Sequence, residues 1–195
     1  MATGAASSLP DDLREIQAQL EASDREAHAL LREFNEEQLN WRPDERSWSI
    51  AQCLDHLNVT NRVYMAPMLP KIQQARKAGA VWRGPIRSGF VGRWFLGHLE
   101  PPPKPRIPAP RNVVPAARKD RAELIEDWRR TQGELIAVLH EAAGIDVNST
   151  RFVNPFFSLL RFRVGTGLQI IAAHERRHLW QAQQVPGRAG FPGGR

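Results

Sequence analysis

The sequence has little cysteine, little tyrosine and no long apolar run. A single cysteine, Cys53, among 195 residues excludes an internal disulfide framework and any cysteine-rich zinc cluster. No apolar stretch approaches the ~20 residues that a membrane-spanning helix needs. Met1 to Pro10 shows neither the basic start nor the apolar segment of a secretory leader. A cytoplasmic, reducing setting is the expectation that follows. With 25% charged and 42% hydrophobic residues the composition is that of a globular chain, and its length suits one well-buried core.

The formal charge of +6 is unevenly placed. Between Lys71 and Arg121 stand 12 of the 27 basic residues but only 2 of the 21 acids, Glu100 and Asp120, so the remainder is mildly acidic. Seven of the 15 prolines fall between Pro101 and Pro115, which favours extended chain over helix. This stretch reads as a basic connector, either simply solvated or contacting an anionic partner or ligand.

Apolar periodicity marks four helices. Leu13, Ile16, Leu20, Ala27, Leu31 and Phe34 recur at helical steps from Pro10 to about Leu39. The second helix is expected to start at Ser49, which with Gln52 makes a capping box. It continues through Ile50, Cys53, Leu54, Leu57 and Tyr64 until Pro67 and Pro70 kink or stop it. Pro115, tolerated in a first turn, precedes the third helix through Leu124, Trp128, Leu135, Val138 and Leu139, with Gly144 closing it. The fourth runs from about Val164 to Val185. A short apolar patch from Phe90 to Leu99 is compatible with a helical turn, and no segment reads as a strand. These patterns predict an all-α four-helix bundle over residues 10–185, with a long Pro-rich basic connection (79–115) between helices two and three. That connection leaves those two helices free to run in the same direction, and 186–195 is expected to form a flexible tail.

Two histidines break the pattern. His174 and His178 lie on the seam Leu168, Ile171, His174, His178, Ala182, Val185 of the fourth helix and therefore face the core. Buried imidazoles need partners, since an unsatisfied polar group costs about 1–3 kcal/mol. Residues four apart are stacked one turn apart and can share one divalent ion. Chance supplies roughly 0.2 such pairs in a chain of this composition, so the spacing alone also allows ordinary core histidines with protein partners.

His174-Glu175-x-x-His178 also matches the zincin motif, but no His, Asp, Glu or Cys follows His178 to serve as third ligand, and the intervening residues are Arg176 and Arg177. A third ligand must then come from upstream, and His56 on the second helix, one turn from Cys53, is the candidate. Three neutral nitrogens leave an ion with an open position, as in catalytic sites. His28, His98 and His140 lie outside this geometry. Asp55 and Glu175 read as solvent-facing charges or as acceptors for a ligand ring. Trp41 and Trp48 read as packing residues around the turn before the second helix.

The run Leu39-Asn40-Trp41-Arg42-Pro43, the helix start Trp48-Ser49-Ile50 with His56 seven residues after the serine, and the pair His174 and His178 together resemble the DinB/YfiT-like superfamily of metal-dependent enzymes over about residues 15–185. The resemblance implies a four-helix bundle, often a homodimer, with His56, His174 and His178 as ligands of a divalent metal such as zinc or nickel. It also implies a low-molecular-weight thiol as cosubstrate class, since the superfamily includes thiol S-transferases and thiol-dependent isomerases. The chain departs from the family pattern in its long basic, Pro-rich connection.

Two functions follow as expectations. One is a metal-dependent thiol S-transferase or hydrolase acting on a small-molecule substrate, in which the ion activates a thiol or a water. The other is a non-catalytic, stress-related binding protein that meets nucleic acid or another anionic partner through the basic connector, where Trp82, Phe90, Trp94 and Phe95 lie among the cations.

Overall fold

A computed structural model describes residues 9–102 and 109–193. The prolines and cations of the connector between 103 and 108, the first eight residues and the last two of the tail lie outside them. The described chain is mainly helical. Its elements are α1 (Asp11–Glu33), α2 (Glu36–Asn40), α3 (Ile50–Lys77), α4 (Phe90–Leu99), a 3₁₀ turn (Arg111–Val113), α5 (Arg121–Ala142), β1 (Arg151–Val153), β2 (Arg161–Arg163) and α6 (Val164–Gln183). Among the described residues no helix is long and apolar enough to cross a membrane.

The helical faces fall where the periodicity puts them, but several boundaries differ. The first predicted helix is broken at Phe34, because Asn35 accepts from the Gln38 amide while Gln38 accepts from the Asn35 amide, a second capping box that starts α2. The expected box at Ser49 and Gln52 is present. Helix α3 does not stop at its prolines. Pro67 and Pro70 sit on its outer side, where the freed carbonyls of Val63 and Ala66 can reach water, while Met65, Met68 and Ile72 continue the buried face. Helix α5 begins at Arg121 rather than near Pro115, since Asp120 accepts from the amides of Ala122 and Glu123. It ends at Ala142, with Ala143 as cap, so Gly144 lies just beyond.

A strand pair was not expected. In β1 and β2, Phe152 pairs with Phe162 in antiparallel register, both buried, between the pairs Arg151–Arg163 and Val153–Arg161 on the outer side. The hairpin presses on the start of α6. A Cβ at Gly167 would stand 2.7 Å from the Phe152 ring, and one at Gly165 2.9 Å from Ile86. Glycine is required at both positions despite its weak helix propensity.

Side-chain contacts order the four long helices. Arg62 of α3 donates to Thr131 of α5 (2.9 Å) and Arg76 to the Glu141 carbonyl (3.4 Å), so α3 and α5 run in the same direction. His56 lies near His174 whereas Met68 lies beside Gly167, so α6 runs against α3. Arg176 reaches Gln19 and Gln183 reaches Glu26, which sets α1 parallel to α6.

The apolar core is in two parts, one built on Leu13, Leu20, Met68, Leu139 and Ile171, the other on Leu31, Leu54, Leu57, Trp128 and Leu179. Between them each long helix contributes a buried polar residue: Ser23, Asn61, Gln132 and Glu175. The connector folds onto this frame, with α4 on the flank of α6. Two of its described cations have acidic partners. Lys119 lies 3.0 Å from Asp127 and 3.6 Å from Asp55, and Arg118 pairs with Glu36. Within 186–193, Phe191 packs edge-on against Phe34 and Trp41.

Candidate metal centre

His56 from α3 and His174 and His178 from α6 meet on the wall of a cavity of about 450 Å³. Each ring offers one nitrogen, and these three atoms lie within 4.8 Å of one another. The Nε2 atoms of His56 and His174 are 3.4 Å apart. Two nitrogens each about 2.0–2.1 Å from one tetrahedral ion would be separated by about the same distance.

Neighbouring groups set which nitrogen is free. His56 Nδ1–H donates to the carbonyl of Val113 in the 3₁₀ turn (2.7 Å), so its Nε2 carries the lone pair. His178 Nδ1–H donates to Gln181 Oε1, one turn further along α6 (3.1 Å). The Trp48 ring covers the pair, with its centroid 4.7 Å from that of His56 and 5.5 Å from that of His178. Burial pulls His56 below the ordinary histidine value, against the opposing pull of Val113 and the Asp55 charge. It holds His174 and His178 well below that value, helped by the neighbouring rings and Arg177. Neutral rings whose inner nitrogens converge, two of them with the outer nitrogen committed to Val113 or Gln181, are the donor set a divalent ion requires.

Several neighbours differ from expectation. Asp55 and Glu175 are not solvent-facing, at 4% and 0% exposure, and neither orients a ligand ring. Asp55 accepts from the Ala116 amide (2.9 Å) and lies near Lys119, while Glu175 accepts from Asn61 (2.7 Å) and Gln132 (2.6 Å). Glu175 is therefore committed to the polar layer and unsuited to the general-base role a zincin assigns to it. Arg176 points outward to Glu100 and Gln19. Cys53 is fully buried, and burial pushes its thiol up, which keeps it protonated and apart from the triad. His98, expected to lie apart, lines the same cavity from α4, as do Trp94 and Phe95, and Trp48 and, from α6, Trp180 line it as well. Periodicity could not reveal Val113, whose contribution is a backbone carbonyl, whereas Gln181 stands at the helical spacing from His178 that a search for ring partners would have tested.

The sequence model of the DinB superfamily matches residues 19–182, a span that contains all three histidines. The chain belongs to the DinB superfamily. Membership agrees with the resemblance carried by Trp48-Ser49-Ile50, His56 and the His174 and His178 pair, and DinB-like proteins are metal-binding. No curated protein and no solved structure matches the chain.

Proposed function

We propose that the chain is a metal-dependent enzyme of the DinB type in which His56, His174 and His178 hold one divalent ion, zinc or nickel, on the cavity wall. The observation that carries this reading is the convergence of three neutral ring nitrogens, those of His56 and His178 oriented by Val113 and Gln181, on a cavity large enough for a small organic molecule. When bound, such an ion lowers the pKa of a coordinated thiol or water and so supplies a nucleophile near neutral pH.

The chain's own groups do the rest. Val113 and Gln181 fix the ring orientations of His56 and His178. Trp48 shields the two rings from bulk water, and the aromatic lining holds a small electrophile beside the open side of the triad. A low-molecular-weight thiol is the nucleophile class favoured by the family, which makes the reaction an S-transfer; with water in its place the same site is a hydrolase. The four long helices are read as the family's bundle over residues 10–185, working in the cytoplasm as a homodimer. The non-catalytic alternative draws less support, because no observation answers to it as the converging triad answers to the metal reading, and two cations of the basic connector, Arg118 and Lys119, are taken up by Glu36, Asp55 and Asp127.

The test is the metal content of untagged purified protein. Wild type is expected to carry about one ion per chain, and His56→Ala, His174→Ala and His178→Ala well under a tenth. Equal content in all four would remove the site. Product formation from an electrophile with and without added thiol then separates transferase from hydrolase.

A further inference from the structure

The cavity is lopsided in charge. The described residues that line it include three arginines, Arg46, Arg177 and Arg188, and four histidines, but no aspartate or glutamate. Arg177 is the informative one. It stands three residues after His174 and next to His178, half-buried, and donates through Nη1 to the carbonyl of His98 (2.8 Å). Among the described residues no carboxylate pairs with it, although its neighbour Arg176 is held by Glu100. A guanidinium withdrawn from water without a counter-charge is costly to keep. Among the described residues nothing engages its Nε and Nη2 edge, which matches the two oxygens of a carboxylate.

The remaining lining is aromatic, with Trp94 and Phe95 from α4, Phe156 and Phe157 from the hairpin loop, Trp180 from α6 and Trp48 over the triad. Such walls favour a flat apolar body over a sugar or a small polar metabolite.

We propose that the cavity binds an amphipathic organic anion, an aromatic or bulky apolar body bearing a carboxylate, with the carboxylate on Arg177 and the body between the aromatics of α4 and the hairpin loop. This rests on reading the cavity as the substrate site and deepens that reading by naming the substrate's chemistry. Arg188, at the exposed end of the lining, adds attraction at the mouth.

The test compares 2-naphthylacetate with its neutral isostere 2-naphthylacetamide, by calorimetry and by quenching of the tryptophans in the lining. Both are titrated into protein as purified and after chelator treatment. The acid is expected to bind at least about tenfold more tightly than the amide in both preparations. Arg177→Gln, which keeps a donor for the His98 carbonyl, abolishes that preference and leaves amide binding unchanged; Arg177→Lys restores part of it, and Arg188→Gln weakens the acid only slightly. Circular dichroism and melting of each variant separate lost binding from lost fold. Equal affinity for acid and amide, no binding of either at millimolar concentration, or equal weakening of both by Arg177→Gln overturns the proposal. So does a preference that chelation removes and Arg177→Gln does not, since the carboxylate would then have been held by the metal, with the metal-site reading intact. Conversely, an Arg177-dependent preference that persists in His56→Ala, in a chain whose metal content never depended on His56, upholds the anion site and sinks the metal reading.

Discussion

His174 and Glu175 are neighbours on α6, and the chain uses them in opposite ways. His174 opens onto the cavity, where two further rings converge with it. Glu175 is sealed at 0% exposure among Asn61, Gln132 and Ser23, joining helices α3, α5 and α1 to α6 across the break between the two apolar halves of the core. Both are polar intrusions into a helical interior. The difference is in their partners. Glu175 gathers donors from α3 and α5 beside Ser23 of α1 and holds the frame together, whereas the triad turns the outer nitrogens of His56 and His178 to the protein and its inner nitrogens to the cavity.

The comparison predicts a double dissociation. The three histidine-to-alanine variants lose their metal but melt like metal-free wild type, because the rings line a cavity rather than tie helices together. Glu175→Leu does the reverse: it strips the acceptor from the buried amides of Asn61 and Gln132, and urea unfolding is expected to show a loss of about 3–5 kcal/mol with metal content unchanged. Loss of metal from Glu175→Leu protein that is still folded would break the distinction.

A smaller effect follows from pH. Burial lifts the Glu175 carboxyl from 4.5 to about 7, against donors from Gln132, Asn61 and Ser23. A group whose value is raised on folding favours the folded state below its unfolded value and loses that contribution as pH rises through the folded one. Wild-type stability is therefore expected to decline between pH 4.5 and 7, by roughly 3 kcal/mol at most, relative to Glu175→Gln, which cannot titrate. Parallel pH profiles for the two proteins would show that the carboxyl does not titrate in this range. The smallest effect sharpens the other side of the contrast. Gln181→Leu removes the acceptor for His178 Nδ1–H, and competition with a chelator should show a roughly tenfold loss of metal affinity with little change in melting.

Much of this was legible in advance, for physical reasons that also explain the failures. Apolar spacing located the faces of α1, α3, α5 and α6, and side chains four apart on one face brought out His174 and His178. The second capping box, at Asn35 and Gln38, carries the same signal as the one at Ser49, but the apolar rhythm from Leu31 and Phe34 to Leu39 runs across it and disguises the break. Pro67 and Pro70 stop a helix only where the freed carbonyls cannot reach water, and the outer side of α3 is not such a place. Three-residue strands are too short to show alternation. Glu175 was misread because a charged residue one step off the buried seam suggests solvent, yet α6 buries Ile171, Ala172, Ala173, Glu175 and Leu179 and has almost no free side there.

The Val113 carbonyl that orients His56 belongs to a turn 57 residues further along the chain. On the proposed reading, ion capture would thereby be tied to the docking of the crossover: a protease cut or an insertion that frees the Arg111–Val113 turn would let the His56 ring swivel with all three histidines intact. The Arg111–Val113 turn would then act as a latch on the site, and an ion held by the triad would in turn keep that latch shut.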